Sequence, residues 1–525
     1  MKNRKYPYYH VPYVSNMKDL LSFCADHYGS KTAFWHGKRD KEIRHSYIDV
    51  QNDTAAFSTF LYDSGYAGKH IALLGENSYE WIISYFAIVN MGGVVVPIDK
   101  ESDTESITGL LKKADVELLI HSKAYSEEAE ATGFKTLSLK NINTYFSKGA
   151  EIINNGSTAY ADYPVEDESV CAIVFTSGTT GNPKGVMLSH RSLMMDAINS
   201  ARNLYAPEGA VSILPLYHTF GWMACVLDQM ILGHGVYIIG SLKRIIEDIN
   251  YSAPRHICAV PMLVEAIYNG IWNKAAEQGK EKQLKSMIKI SNILRKIGID
   301  KRRLFFSSIY KSFGGKLEMI ISGGSGIEEK YIRGLDDIGI KLTNGYGITE
   351  LSPIVATMRN KHFAVGSVGC VNPGIDCRIK DGEIQLKGET LFSGYYKDEK
   401  ATVDAFDGEW FITGDLGYFD NDGLLYITGR KKNLIILSNG KNVSPEELET
   451  LLSSVENVQE VIVYADSDRL IAEIYPKNGD VLFESGIRQA ILNLNRTLPK
   501  YKQISDIRFR NTEFEKTATK KIKRH

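Results

Sequence analysis

The sequence predicts an α/β protein: a large N-terminal domain of parallel sheets covered by helices, a small β-barrel-like subdomain, and a small α+β C-terminal domain. Three observations predict it. Apolar runs such as His70-Ile71-Ala72-Leu73-Leu74-Gly75 and Gly93-Val94-Val95-Val96-Pro97 read as buried strands, with helical patterns such as residues 80–91 between them. Such alternation marks parallel strands joined by helices. Over residues 369–426 the pattern changes to short strands separated by Asp381-Gly382, Asp407-Gly408 and Asp422-Gly423 turns. After Arg430-Lys431-Lys432 a further small unit begins. We therefore expect an N-terminal domain over 1–429, with its β-rich part at about 365–429, and a C-terminal domain over 430–525.

Taken in order, the most apolar stretch, residues 81–96, is interrupted by Ser84, Asn90 and Gly92-Gly93. That is too short and too broken for a bilayer span and reads as a helix followed by a buried strand. In the C-terminal unit, Ser444 is placed to cap a helix whose first position is Pro445. A hairpin follows, with strands at 461–464 and 470–474 around Asp466-Ser467-Asp468. No internal repeat or low-complexity linker is found.

Composition excludes several classes. The chain has 525 residues, more than one compact core accommodates, and its 43% hydrophobic and 24% charged residues are those of an ordinary globular protein. A formal net charge of -1 gives no global field for nucleic acid. Cysteines 24, 171, 225, 258, 370 and 377 show no C-x-x-C spacing, which argues against a zinc site or disulfide framework and suits a reducing cytoplasm. Met1-Lys2-Asn3-Arg4-Lys5 runs into Tyr and Pro instead of an apolar segment, so no signal peptide is expected.

The segment Phe175-Thr176-Ser177-Gly178-Thr179-Thr180-Gly181-Asn182-Pro183-Lys184-Gly185 carries the most chemistry. Its glycines let the backbone approach an oxyanion, while amides, hydroxyls and Lys184 supply donors and positive charge. A polyphosphate fits. The segment is not a Walker A motif, because Pro183 precedes the lysine and Gly185 follows it; it reads as a turn between strands.

This order of residues resembles the phosphate loop of the acyl-adenylate-forming (AMP-dependent synthetase/ligase) superfamily, which includes acyl-CoA synthetases, peptide-synthetase adenylation domains and beetle luciferases. Asn344-Gly345-Tyr346-Gly347-Ile348-Thr349-Glu350 is similar to that family's adenine and magnesium segment. The resemblance implies that Tyr346 stacks on the base, Thr349 bonds the α-phosphate and Glu350 holds Mg²⁺. Trp410-Phe411-Ile412-Thr413-Gly414-Asp415 resembles the segment whose aspartate takes the ribose hydroxyls, and Tyr426-Ile427-Thr428-Gly429-Arg430-Lys431-Lys432 the interdomain hinge. Arg430 would also reach the ribose, and Lys432 stands at the pivot. Lys516-Thr517-Ala518-Thr519-Lys520-Lys521-Ile522 resembles the terminal catalytic-lysine motif and selects Lys521, although the family has glycine where this chain has Lys520. From composition alone this stretch reads rather as a solvated basic tail.

Leu214-Pro215-Leu216-Tyr217-His218-Thr219-Phe220-Gly221-Trp222 resembles the acyl-side segment, with His218 gating a pocket that Tyr217, Trp222, Val260, Gly324 and Gly345 would share. A lone histidine in an apolar run is also commonly structural. Ser322-Gly323-Gly324-Ser325-Gly326 resembles the turn lying against adenine and the acyl pocket. ATP and CoA are the implied co-substrates, and the implied mechanism has a mobile C-terminal domain that presents Lys521 for adenylation and then swings away.

Within the family, Gly345-Tyr346-Gly347-Ile348-Thr349-Glu350-Leu351-Ser352-Pro353 resembles the long-chain fatty acyl branch, which implies a medium- to long-chain fatty acid–CoA ligase. Delivery to a carrier-protein phosphopantetheine, activation of an aryl or amino acid, a luciferase-like oxygenase and an inactive acyl-binding relative are the alternatives. Residues 274–316 hold twelve Lys/Arg against three Asp/Glu, interleaved with Ile293-Leu294 and Leu304-Phe305-Phe306. That pattern is either a solvated helical face or a patch that collects acyl chains at the inner membrane surface of an otherwise cytoplasmic enzyme.

Overall fold

The computed structural model describes every residue except 1–5, 177–182, 362, 439–440, 467–468, 517–521, 523 and 525. The chain divides into two compact units, residues 1–376 with 387–406, and residues 377–386 with 407–525. This division falls before the 429–430 boundary expected from the turn pattern. Local packing gives a reason: Ser444 Oγ donates to the Thr428 carbonyl at 2.7 Å, tying the strand Leu425–Arg430 to the cap of the next helix.

In the first unit a seven-stranded sheet runs in the order Gly394–Tyr395, Lys184–Ser189, Val170–Thr176, Val94–Ile98, His70–Leu74, Leu118–His121, Thr136–Ser138. The five strands from Val170–Thr176 onward are parallel, as the strand–helix alternation predicts. The remaining two pairings, Val170–Thr176 with Lys184–Ser189 and the latter with Gly394–Tyr395, are antiparallel, and Thr176 pairs with Lys184. The helix Tyr79–Val89 has apolar residues on every side and is buried on every side, with Glu80 alone part-exposed. No described helix is long and apolar enough to cross a membrane.

A second sheet lines up His256–Ala259, Met319–Ser322 and Lys341–Gly347 in parallel, then Ile354–Thr357 and Cys370–Val371 antiparallel. Its core is Ile257, Ile320, Leu342, Leu335 and their neighbours. A four-stranded sheet, Ile43–Ser46, Thr32–His36, Val236–Ile238 and Ala210–Ser212, completes the unit.

In the second unit, the Asp-Gly turns lie in a five-stranded sheet built on the long strand Trp410–Phe419, which pairs antiparallel with Glu383–Gly388 and Leu425–Arg430. The expected helix is Pro445–Ser453, with the Ser444 side chain accepting from the Glu447 amide. The expected hairpin is Val458–Asp466 with Arg469–Pro476, joined in parallel by Asp506–Phe509. Leu448, Leu452, Val463, Ile474, Ile487 and Ile491 form its core.

Candidate active site

Two parallel strands end side by side with unsatisfied polar atoms. Ser322 pairs in register with Asn344, and both side chains are buried. Among the described residues neither Ser322 Oγ nor Asn344 Oδ1 has a hydrogen-bond partner. Buried polar atoms are nearly always paired, so two orphans at the carboxyl end of a parallel sheet mark a place for a polar ligand or ordered water. Past Ser322 the chain turns through Gly323 and Gly324. A β-carbon on Gly323 would lie 2.9 Å from the Phe220 ring, and Gly324 has φ +92°, where a β-carbon would lie 3.9 Å from Val260 Cγ1. Ser325 is exposed. The turn thus brings Phe220, from the 214–222 segment, and Val260, which precedes Pro261 of the helix Pro261–Glu277, to one place.

The segment after Asn344 forms the rest of the edge. Gly345 and Tyr346 pair with Thr357 and Ala356, Gly347 with Ile354, and a short 3-10 turn, Thr349–Leu351, presents Glu350. Glu350 Oε1 accepts a hydrogen bond from the Tyr395 hydroxyl at 2.8 Å, and the Glu350 carbonyl accepts from the Phe392 amide at 2.9 Å. The Tyr395 ring faces Lys184, whose Nζ stands 4.5 Å from its centroid. Burial, then the neighbouring Glu350 charge and hydrogen bond, hold the Tyr395 phenol well above its ordinary pKa, so it stays a donor. Lys184, the proposed phosphate-loop lysine, and Glu350, the proposed metal carboxylate, are therefore brought together around one tyrosine. Sequence reading did not single out Tyr395. Thr176 is described and half-buried; Ser177, Gly178, Thr179, Thr180 and Gly181 lie outside the described residues.

On the acyl side, Asn77 holds the segment: its Nδ2 donates to the Leu214 carbonyl at 2.8 Å and its Oδ1 accepts from the Leu216 amide at 3.0 Å. Tyr217 and His218 follow with rings 4.5 Å apart. Burial lowers the His218 pKa while Asp99 pulls it the other way, which favours a neutral imidazole. Trp222 stacks on Tyr85 at 3.8 Å and is buried against the helix Tyr79–Val89, with Nε1 unpartnered among the described residues.

In the second unit, Asp415 and Arg430 are register partners on adjacent strands, and Arg430 Nε meets Asp415 Oδ1 at 2.6 Å. The two proposed ribose residues thus stand side by side. Lys432 lies in the 3-10 turn Lys431–Asn433, and burial followed by the Arg430 charge lowers its pKa. Lys521 lies outside the described residues; near it, Lys516 and Ile522 form a bridge and Lys516 Nζ pairs with Glu460 at 2.6 Å.

Comparison with known proteins gives a consistent answer. Residues 22–396 match the family model described as AMP-binding enzyme. A long-chain-fatty-acid–CoA ligase of Mycobacterium bovis is 29% identical over 442 residues, 78% of this chain and 73% of that protein. Among solved structures, an anthranilate CoA ligase in complex with anthranoyl-AMP has a TM-score of 0.79 at 21% identity, covering 99% of this chain and 96% of its own. O-succinylbenzoate coenzyme A synthetase from Bacillus subtilis, in complex with ATP and magnesium ion, has a TM-score of 0.74 at 20% identity, with 96% and 98% covered. The likeness to these structures is one of fold.

Proposed function

We propose a specific chemistry for this chain, which belongs to the AMP-binding enzyme family: it activates a medium- to long-chain fatty acid with ATP to acyl-AMP and passes the acyl group to the thiol of CoA. The observation that carries this reading is the meeting of Lys184, Tyr395 and Glu350 at a sheet edge within the family's matched segment.

In the first half-reaction a carboxylate oxygen of the acid bonds to the α-phosphorus, the bond to the bridging oxygen breaks, and pyrophosphate leaves. Two anions meet, so the site must supply cations where charge builds up. Lys184 and the donors of 176–185 would hold the departing phosphates, Thr349 the α-phosphate, and Asn344, Gly345, Tyr346, Gly347, Gly323, Gly324 and Ser325 the adenine side. Asp415 and Arg430 would take the ribose. Glu350 fits one position of a hard cation: Oε1 is fixed by Tyr395, and among the described residues no partner occupies Oε2. When bound there, Mg²⁺ would offset charge on the phosphate oxygens. Lys521 would bridge carboxylate and α-phosphate.

In the second half-reaction the thiol sulfur bonds to the acyl carbonyl carbon, the bond from that carbon to the AMP oxygen breaks, and AMP leaves with the electron pair as the thiol proton is released. Lys432 would be the pivot that removes Lys521 beforehand. Tyr217, neutral His218, Trp222 and Val260 would wall the acyl chain. A fatty acyl-AMP ligase serving a carrier protein is the second reading. A pyrophosphate-release screen over acids of differing length, with and without CoA, separates the two. The proposal expects release with medium- and long-chain acids and CoA thioester as product. Release without any thioester would leave the carrier reading, and preference for aryl acids would overturn the fatty-acid assignment.

One surface bears on where the acid comes from. The helix Glu281–Lys296 leaves Ile290 and Ile293 53% and 55% exposed, and Ile297 and Leu304 follow at 68% and 69%. Helical spacing puts Lys282, Lys285, Lys289 and Lys296 beside that isoleucine ridge. An apolar ridge flanked by lysines suits an anionic lipid surface. Flotation with phosphatidylglycerol vesicles should recover the protein in low salt and fail for the double change Ile293→Glu, Ile297→Glu. Absent or salt-insensitive binding would exclude this surface.

A further inference from the structure

We infer that Tyr395 is a positioning residue that keeps Lys184 and Glu350 apart, so that each stays available to the nucleotide–cation complex. The inference rests on the proposed role of Glu350. It begins from an electrostatic problem: an ammonium and a carboxylate at one sheet edge attract, and a direct pair would neutralise the two groups that the phosphates and the cation require. Among the described residues Lys184 and Glu350 form no ion pair with each other. Instead Tyr395 separates them, its π face toward Lys184 Nζ at 4.5 Å and its hydroxyl on Glu350 Oε1 at 2.8 Å. One side chain thereby meets the cation with its ring and the anion with its proton.

The tyrosine is itself held on several sides. Its backbone pairs with Val186 on the strand that begins at Lys184, and its amide donates to Thr402 Oγ1 at 2.9 Å. Phe392 packs edge-on against its ring at 4.9 Å while the Phe392 amide holds the Glu350 carbonyl. The side chain is 7% exposed. Segment 392–395 therefore grips Glu350 by main chain and side chain at once, and fixes one carboxylate oxygen while leaving the other for a cation. Groups that orient a metal-binding carboxylate commonly contribute an order of magnitude or more to metal affinity.

Two variants of the full-length protein divide the roles. Tyr395→Phe keeps the ring and loses the hydroxyl; Tyr395→Leu loses both. Calorimetric titration of ATP, with Mg²⁺ and with EDTA, is read beside the Mg²⁺ dependence of pyrophosphate release. Tyr395→Phe should raise the Mg²⁺ concentration for half-saturation about tenfold and leave ATP binding in EDTA unchanged. Tyr395→Leu should show the same Mg²⁺ shift and also weaken ATP binding in EDTA about threefold, because Lys184 loses its aromatic face. Unaltered Mg²⁺ half-saturation in Tyr395→Phe, whose melting curve confirms folding, overturns the inference. Glu350→Gln is the control: if it too leaves the Mg²⁺ requirement unmoved, the role of Glu350 fails and takes this inference with it. A shift in Glu350→Gln but not in Tyr395→Phe sinks the inference alone.

Discussion

In the first compact unit Lys184 lies over the ring of Tyr395 and Glu350 at its hydroxyl, and among the described residues the two form no ion pair with each other. In the second, Asp415 and Arg430 meet directly at 2.6 Å across a strand ladder. The second arrangement is complete without a ligand, because backbone register sets Arg430 opposite a carboxylate that is only 5% exposed. The first is incomplete by construction: each charge has capacity left over. We read the difference as a division of labour, in which a stabilised pair presents a fixed recognition surface while a separated pair waits for charge to arrive with ATP.

The largest expected effect sharpens that contrast. Glu350→Gln should lower pyrophosphate formation about a hundredfold with little change in melting temperature, because the replacement keeps the shape and an acceptor oxygen for Tyr395 while removing the charge proposed to hold the cation. Arg430→Ala should act the other way on stability, leaving the buried Asp415 without its cation. Removing one partner of a buried pair costs about 3 kcal/mol, and the 44% exposure of Arg430 reduces this to about 1 kcal/mol through solvent screening. Parallel melting curves and steady-state assays test this, and equal melting temperatures for the two variants would break the comparison.

Next in size is the turn that follows Arg430. Lys432→Pro should preserve adenylation and reduce thioester formation on the order of tenfold, since a fixed backbone angle restrains the proposed pivot. Half-reactions followed separately by stopped assays decide it, and equal loss in both refutes the pivot.

The smallest effect concerns a carboxylate with no ion pair among the described residues. Asp228 is half-buried with the Ser200 hydroxyl donating to it at 2.8 Å, and lost solvation of the carboxylate raises its pKa to about 8. Its folded-state value thus lies above its unfolded value of about 3.9. The folded protein holds a proton that the unfolded chain has released, so this stabilisation is full below about pH 4 and is lost as pH rises toward about 8. Asp228→Asn should therefore flatten the fall in melting temperature between those pH values. Asp196, raised in the same direction by burial, keeps part of the slope. An unchanged slope in the asparagine variant would show that Asp228 ionises freely.

Part of the candidate site could be proposed from the sequence because its signals are local. The hydroxyl- and glycine-rich composition of 175–185, the Thr349-Glu350 pair and the Ser444 cap before Pro445 each stand out within a few residues. Tyr395 was not legible. Its two partners come from Lys184 and from Glu350, 45 positions earlier, and a Gly-Tyr dipeptide carries no local mark of either contact. Asn77 escaped for the same reason, since its bonds reach 137 and 139 residues along the chain. The basic stretch 274–316 was visible as charge, but which isoleucines face outward depends on packing.

By itself the sequence determined the alternation of strand and helix, the anion-seeking composition of 175–185, the helix caps and the family resemblance, because these follow from backbone preferences and side-chain chemistry over short spans. Only the tertiary structure decided that a phenol separates Lys184 from Glu350, that Asp415 faces Arg430, that Trp222 packs on Tyr85, and that Ser322 Oγ and Asn344 Oδ1 end together without a hydrogen-bond partner among the described residues. Such pairings depend on strand order and register between distant segments. They are fixed by how the whole apolar core closes, which no local window encodes.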